Sequence, residues 1–403
     1  MGLQRLGLVI VILLVTLLAA CAGPGSESDP ATGTTAATEC PSALTYDRGL
    51  CVADGDEAQR AAELIRSAYV DGRMGALIVG AWRGDQPVVT GALGDSMTGV
   101  PATLDMHHRI GNVSAPFITT LFMQLVDEGV LSLDDRLSQW FPEVPGSEGV
   151  TLADLTRSMS GYRHHPATKG FLKAFYADPF REWNPARLID YGTKGGPEFP
   201  PGTDWNFSDT NMLLLGEVIT KETGTSAHEL ITRRLIEPLG LDNTTSPTTA
   251  QQEPPVLHGF TDERGVWEDS TFWNPSWVPY GGDMASNQED VASWLRTVAS
   301  GDLLTEESFK EFMAPATVGF GPNTKNLYYA MGFGVTNGWV FCNPSLQGYS
   351  AAAGSNAGQD VTIVSYATRR KDADQDARPE QAMFVELGEL LAPTQPPKVP
   401  LGN

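Results

Sequence analysis

The residues best suited to metal binding or nucleophilic chemistry in this 403-residue chain are six histidines and four cysteines. Four of the histidines form two adjacent pairs, His107-His108 and His164-His165, and adjacent side chains diverge from one another. No Cys-x-x-Cys or His-Glu-x-x-His motif is present. The spacing therefore predicts neither a metal site nor a bound cofactor, and we expect His164 and His165 to lie at the surface.

The first cysteine, Cys21, is positioned for lipid attachment. It follows Leu18-Ala19-Ala20 at the end of an apolar run that is too short for a permanent membrane span. This sequence resembles the lipobox of bacterial lipoproteins, although an ordinary signal peptide cleaved near an Ala-x-Ala site is the alternative. We expect a signal peptide over 1–20 and, from Cys21 onward, a flexible tether over 21–38. The lipid would anchor the chain to the extracytoplasmic face of a bacterial membrane.

Three cysteines follow the tether, so one thiol has no partner inside the mature chain. Cys40 and Cys51 enclose a short loop, and a disulfide between them with Cys342 free is the simplest pairing. A bridge between Cys51 and Cys342 is the alternative. Export past the cytoplasmic membrane would allow either disulfide to persist.

The composition is that of a packed globular protein, with 41% hydrophobic and 19% charged residues. Its 27 basic and 49 acidic residues give a formal net charge of −22. This charge excludes nucleic-acid binding, because nothing would neutralise the phosphates. It also disfavours electrostatic docking on anionic lipids, so the only membrane contact that we expect is the lipid anchor.

Strand patterns occur near both ends of the chain. Two apolar segments, Met74–Trp82 and Pro87–Leu93, are joined by a turn. Further strand patterns cover 329–335, 338–341, 346–351 and 361–367, and a helix pattern covers Pro379–Leu391. A helix over Phe117–Val130 precedes a middle region, about 133–296, of helices and Pro/Gly-rich loops. The pattern predicts an α/β fold in which 39–403 form one domain, with a helical lobe inserted into an antiparallel sheet flanked by helices.

The segment His108–Phe117 resembles the one that opens the catalytic helix of the serine β-lactamase and penicillin-binding-protein family. The class C β-lactamases and D-Ala-D-Ala carboxypeptidases are its most similar branch. Further landmarks of that family follow in order, at 125–135, Ser160-Gly161, 201–216, 236–241, 281–286 and 329–334. The resemblance covers about 55–392 and implies a β-lactamase/transpeptidase-like fold with a ligand cleft between its lobes.

In this family, a serine at the start of a helix attacks a carbonyl and a lysine three residues later activates it. A tyrosine and an asparagine from the helical lobe, together with a histidine or lysine on the edge strand, complete the site. Two backbone N–H groups bind the oxyanion. The residues at these five positions here are, in the same order, Asn112, Ala115, Phe207, Asp209 and Cys342.

All five side chains therefore depart from the catalytic pattern. An amide is a poor nucleophile, alanine accepts no proton and phenylalanine relays none. Loss of the nucleophile alone typically costs on the order of a million-fold in rate. Pro344 also replaces the glycine of the third motif, where it restricts the strand beside which a substrate would lie. We therefore assign no catalytic residue.

Three other residues are candidates for a substitute nucleophile. Ser114 lies two positions after Asn112 and so points away from the same helix face. Ser160 matches a structural landmark. Cys342 is expected to face the cleft, but a small buried hydrophobe or a disulfide partner explains a cysteine there better than a catalytic thiol does.

The expected ligand cleft contains four of the substituted positions and a group of neighbouring residues. Asn112, Phe207, Asp209 and Cys342 come from the motifs. The additional cleft residues are Ser345, Trp273, Trp277 and Tyr280. The three aromatic residues would offer a stacking surface for a sugar or peptidoglycan fragment, and packing between the lobes is the alternative.

The resemblance and the substitutions together predict a surface lipoprotein that is a pseudoenzyme. It would act by binding a peptidoglycan fragment or an envelope protein. The alternative is an active hydrolase of the same family, such as a β-lactamase, a D-Ala-D-Ala carboxypeptidase or an esterase with substituted machinery. A structural envelope protein with a closed cleft is a third interpretation.

Overall fold

The computed structural model describes residues 40–246 and 249–400. The predicted signal peptide, Cys21 and the whole of the predicted tether lie outside these ranges. Within them, no helix combines the length and the apolar character that a membrane span requires. Cys40 and Cys51 form a disulfide with a Cα–Cα distance of 5.5 Å, which is the pairing that the short loop predicts.

Most strands lie near the two ends of the chain, and most helices lie between them. The strands are β1 (Thr45–Asp47), β2 (Leu50–Val52), β3 (Met74–Arg83), β4 (Gln86–Met97), β5 (Val100–Pro101), β6 (His108–Arg109), β7 (Phe260–Thr261), β8 (Glu268–Asp269), β9 (Ala285–Ser286), β10 (Leu327–Tyr329), β11 (Gly334–Thr336), β12 (Trp339–Cys342), β13 (Ser345–Leu346), β14 (Tyr349–Asn356) and β15 (Val361–Arg369). The helices are α1 (Asp56–Asp71), α2 (Ala115–Asp127), α3 (Leu152–Thr156), α4 (Lys169–Ala177), α5 (Pro185–Thr193), α6 (Asp209–Thr223), α7 (Ala227–Ile231), α8 (Gln288–Ser300), α9 (Glu306–Phe312) and α10 (Pro379–Leu391).

One large antiparallel sheet joins the two ends of the chain. Its strand order is β1-β2-β4-β3-β15-β14-β12-β11-β10, so the N-terminal β3 pairs directly with the C-terminal β15. In that pair, Val79 lies opposite Ser365. The predicted fold class, an antiparallel sheet built from both chain ends with helices around it, is confirmed.

Both faces of the sheet are covered, so its central strands β14 and β15 are buried along almost their whole length. Helices α1 and α10 pack on one face, where Ile65 and Leu387 are fully buried. Helices α2 and α8 belong to the core on the opposite face. The central strand β14 uses small residues because the layers approach closely: a Cβ at Gly354 would lie 2.9 Å from the Phe384 ring.

The helical lobe is built around α6, which is buried along most of its length. A stack of two fully buried rings, Phe117 on α2 and Trp294 on α8, has a centroid distance of 3.7 Å. This stack fixes the start of α2 against the helix that covers the sheet. The two ring planes are nearly parallel, at 13° to one another, and the large apolar area that both rings bury contributes to stability.

Two predicted strands are wrong. The segment 346–351 forms the end of β13 and the start of β14, with a turn at 347–348 between them. The segment 329–335 forms the end of β10 and the start of β11, joined by a tight turn, instead of one continuous strand. Gly332 has a φ of +88° and Ala330 N–H donates to the Phe333 carbonyl at 2.8 Å. Only glycine adopts this backbone conformation readily, so the chain reverses here.

Candidate functional site

A cavity of about 560 Å³ lies between the helical lobe and the β10–β12 edge of the sheet. It is bordered by the turn before α2, the start of α6 and the loop before β9. Of the predicted cleft residues, the structure brings together at this cavity Asn112, Phe207, Asp209, Trp277 and Ser345. Its size is that of a small-molecule site.

The other predicted cleft residues do not line this cavity. Cys342 is 2% exposed and belongs to the core on the α2 side of the sheet, near Tyr329 and Tyr366. Burial raises the pKa of its thiol to about 12. The expectation that Cys342 faces the cleft is therefore wrong, because its side chain is buried in the core and does not line the cavity.

Two of the three expected stacking aromatics serve the packing of the protein instead. Trp273 meets Phe175 edge-on at 5.5 Å, and Tyr280 stacks on His228 at 4.2 Å. Both are almost completely buried and lie outside the cavity lining. Packing between elements, the alternative interpretation of this aromatic segment, is the one that the structure shows for Trp273 and Tyr280.

Asn112 occupies the nucleophile position in a 3-10 turn over Gly111–Ser114, immediately before α2. Its Oδ1 atom is buried and has no hydrogen-bond partner among the described residues. Ala115 begins α2 and is 3% exposed, with no group that could exchange a proton. Ser114 is fully buried, and its Oγ accepts a hydrogen bond from Met284 N–H at 3.3 Å. The start of α2 thus presents a carboxamide to the cavity in place of a nucleophile.

Pro344 closes the space beside this turn. A Cβ placed on Gly111 would lie 2.4 Å from the Pro344 Cβ, so the two residues are in tight contact. Gly111 also has a φ of +53°, a conformation that favours glycine. The edge of the sheet therefore presses against the start of α2 at the point where the family pattern places a glycine.

Aromatic rings form one wall of the cavity. The Tyr329 ring lies 5.5 Å from Trp205 and 6.1 Å from Phe207, centroid to centroid. His164 lies 5.5 Å from Phe207 on the other side. All four residues line the cavity, and together they form its aromatic wall.

Asp209 supplies the one carboxylate among the described residues of the cavity lining. It is the first residue of α6 and is 8% exposed. Burial, and then the neighbouring charge of Asp283, raise the pKa of Asp209 to about 7. Its backbone N–H donates to His164 Nδ1 at 3.2 Å, and its carboxylate lies 3.7 Å from the same nitrogen.

The position of His164 corrects the expectation that the pair His164-His165 lies at the surface. Burial lowers the pKa of His164 to about 4, so the ring is neutral near pH 7 and Nδ1 is free to accept the Asp209 N–H. His165 is fully buried, with Nε2 2.8 Å from the Trp277 carbonyl. The sequence contained one indication of this position. His164 lies in the loop that follows the Ser160-Gly161 landmark, and this loop contributes to the cavity wall.

Sequence reasoning also missed the C-terminal wall of the cavity, which is formed by Val399 and Pro400. Gln381 Nε2 donates to the Pro400 carbonyl at 2.7 Å. Gln381 in turn accepts from Asn343 Nδ2 at 2.9 Å. These contacts join distant segments, and no local pattern in the sequence indicates that the end of the domain returns to the cavity.

The contacts of His164 and Ser345 bear on whether the cavity could support acyl transfer. Near His164, the hydrogen bond of Nδ1 goes to a backbone N–H and not to a hydroxyl or thiol. Ser345 lines the cavity as an exposed residue of β13. Among residues 40–246 and 249–400, no three His, Cys, Asp or Glu side chains are grouped as metal ligands would be.

Comparisons with known proteins agree with the architecture. The family described as Beta-lactamase matches residues 58–386. Penicillin-binding protein 4 of Amycolatopsis lactamdurans is 33% identical over 145 residues, which are 36% of this chain and 37% of that protein. A D-aminopeptidase of Cereibacter sphaeroides is 28% identical over 168 residues, 40% of this chain and 31% of that protein. The chain thus spans about a third of the length of these two curated relatives.

Solved structures show the same fold over almost their full length. A D-stereospecific amidohydrolase from Streptomyces aligns with a TM-score of 0.72 and 25% identity, covering 82% of this chain and 99% of that one. The D-amino acid amidase of Ochrobactrum anthropi aligns with a TM-score of 0.69 and 18% identity, covering 84% and 97%. With the family match over most of its length, the chain belongs to the β-lactamase-related serine hydrolase family and has the β-lactamase/transpeptidase-like fold.

Proposed function

We propose that this protein is a pseudoenzyme of its family, which binds a ligand in the retained cavity without hydrolysing it. The observation that carries this proposal is the start of α2. There Asn112 lines the cavity, and Ala115 lies about one helical turn later. A carboxamide in place of the nucleophile and a methyl group in place of the base leave the acyl-transfer reaction without its first step.

The surroundings support the same conclusion. Pro344 presses on Gly111 beside the turn, and Phe207 has no hydroxyl with which to relay a proton. The volume of about 560 Å³ suits a small ligand better than a protein surface. We therefore favour a peptidoglycan fragment over an envelope protein as the natural ligand.

The active-hydrolase alternative has one observation in its favour, the neutral His164 ring beside Asp209 in the cavity wall. A histidine of this kind could act as a general base if a nucleophile lay within hydrogen-bond reach. Its Nδ1 atom, however, bonds to the Asp209 backbone. The proposal and this alternative give opposite results in a labelling experiment.

Incubation with a fluorescent penicillin is expected to give no covalent band on a denaturing gel, and nitrophenyl esters are expected to hydrolyse at the background rate. The reason is that acylation requires a nucleophile at the cavity. A band that survives denaturation and disappears in Asn112→Ala, Ser345→Ala or Cys342→Ala would identify the acylated residue and overturn the proposal. An active relative of the family in the same gel is the positive control.

A second part of the proposal concerns location. We propose that Cys21 carries a diacylglyceryl group and that the mature chain begins there, outside the cytoplasmic membrane. The lipobox-like sequence Leu18-Ala19-Ala20-Cys21 supports this assignment. Each buried methylene contributes about 0.8 kcal/mol to membrane binding, so a diacyl group would hold the protein firmly.

Mass spectrometry of the mature N-terminus is expected to show a lipid-modified Cys21. In Cys21→Ala, the protein should stay unprocessed or be released after cleavage elsewhere, because no thiol remains to be modified. Cys342→Ala is the matched control and should leave the modification intact. An unmodified N-terminus at another residue of the wild-type chain would refute lipidation and leave the proposed binding function untouched.

A further inference from the structure

The charges that line the cavity are unusual for a pocket that would hold an anionic ligand. Asp209 is the one carboxylate in the lining, and no lysine or arginine is present among the described residues that border the cavity. The protein as a whole carries a formal net charge of −22. A ligand carboxylate placed here would meet a like charge with no cation to compensate, which is unfavourable in a partly desolvated site.

The uncharged part of the lining favours a cation as well. The aromatic wall of Trp205, Phe207, Tyr329 and His164 stands beside Asp209. The faces of aromatic rings attract cations through their quadrupoles, most strongly where water is excluded. Rings together with a single carboxylate form the type of site that recognises ammonium groups.

Hydrogen-bonding capacity points in the same direction. Within the described part of the chain, the buried Oδ1 atom of Asn112 has no donor, although its residue lines the cavity. In the same ranges the Asp209 carboxylate has no lysine or arginine within 4 Å, and its neighbour His164 is a neutral ring. A buried acceptor without a donor, such as Asn112 Oδ1, is costly. A bound group with several N–H donors would satisfy this oxygen and give the Asp209 carboxylate a cationic partner.

We propose that the cavity recognises a protonated primary amine attached to an apolar group, such as the amino end of a short peptide, and not a carboxylate end. This inference rests on the proposed binding function and specifies its ligand chemistry. The ammonium would donate to Asp209 and to Asn112 Oδ1, and the apolar group would lie against the aromatic wall. No bond is made or broken in this event.

The pH range in which such binding occurs follows from the groups around Asp209. His164 and Tyr329 face it from the aromatic wall, and Asp283 lies behind it. The pKa of Asp209 is about 7, whereas a primary alkyl amine titrates near ~10.4. Both partners are charged between these values, so binding of the amine should weaken about tenfold per pH unit below about pH 7.

The test uses three probes of similar shape, 2-phenylethylamine, 2-phenylethanol and 3-phenylpropanoate, measured by isothermal titration calorimetry on the whole mature protein at about pH 8. The amine is expected to bind about ten- to a hundredfold more tightly than the alcohol, because its hydrogen bond to the carboxylate is charge-assisted. The carboxylate probe is expected to bind most weakly.

The decisive variant is Asp209→Asn, which keeps the shape of the side chain and removes its charge. It should abolish the preference for the amine and leave affinity for the alcohol within about twofold. Asp204→Asn is the matched control, since Asp204 is an exposed neighbour and the change in net charge is the same. The Asp204→Asn variant should still bind the amine more tightly than the alcohol.

Two results would overturn the inference. The first is that the amine binds no more tightly than the alcohol, or does not bind measurably at millimolar concentration. The other is a preference for the amine that survives Asp209→Asn. These outcomes differ from failure of the proposed function, which would appear as ester turnover or penicillin acylation regardless of which probe binds.

Discussion

Hydrolysis of nitrophenyl esters is expected to return when the catalytic side chains of the family are restored together. The combined variant carries Asn112→Ser, Ala115→Lys, Phe207→Tyr, Asp209→Asn, Cys342→His and Pro344→Gly. The scaffold supports this result, because Asn112, Phe207, Asp209 and Pro344 all border the same cavity. Replacing Pro344 also relieves the contact with Gly111.

The intact machinery is typically worth on the order of a million-fold in rate, and its residues act as a unit. We therefore expect each single reversion to stay at background and the combined variant to exceed background about a hundredfold or more. The control is the same combination without Asn112→Ser, which lacks only the nucleophile. If both combinations fold and hydrolyse esters at the same rate, the oxyanion-binding backbone has also been lost.

Asp209→Asn is expected to stabilise the protein, and by more at about pH 8 than at about pH 5. In the wild-type fold, the pKa of Asp209 is raised to about 7, whereas in the unfolded chain it is near ~3.9. Between these values the folded state holds a proton that the unfolded state has released. The contribution of Asp209 to the free energy of unfolding therefore falls as pH rises through this range. Asparagine does not titrate, so the variant does not lose this stability.

The stabilisation should grow by about 2–3 kcal/mol between pH 5 and pH 8, measured by denaturant unfolding. His164 does not interfere, because its pKa is lowered to about 4 and the ring stays neutral throughout. Asp204→Asn serves again as the control and should show no such trend. A stability difference that is the same at both pH values would contradict the raised pKa of Asp209.

The sheet and the helix at its end were predictable because their patterns are long and apolar. The predicted helix Pro379–Leu391 has the observed bounds, and the predicted strand Met74–Trp82 ends one residue short of β3. Buried central strands and amphipathic helices carry strong periodic signals. The family landmarks then placed Asn112, Phe207 and Asp209, which the structure brings to one cavity.

The features that sequence reasoning missed depend on contacts between distant segments. His164 was assigned to the surface because it lies in a loop, although that loop follows the Ser160-Gly161 landmark. Cys342 is buried in the core near Tyr329 and Tyr366, which come from β10 and β15. Helix α1 has no counterpart among the predicted elements, although Ala58, Ala62 and Ile65 recur at helical spacing.

The burial of Cys342 also makes its thiol a reporter of local opening of the fold. Among the described residues it is the cysteine outside the disulfide, and it lies in β12 at the centre of the C-terminal part of the sheet. A reagent that modifies thiols reacts only when this strand separates from its neighbours. The rate of labelling in the native protein therefore reports the opening of this part of the sheet, without an introduced probe.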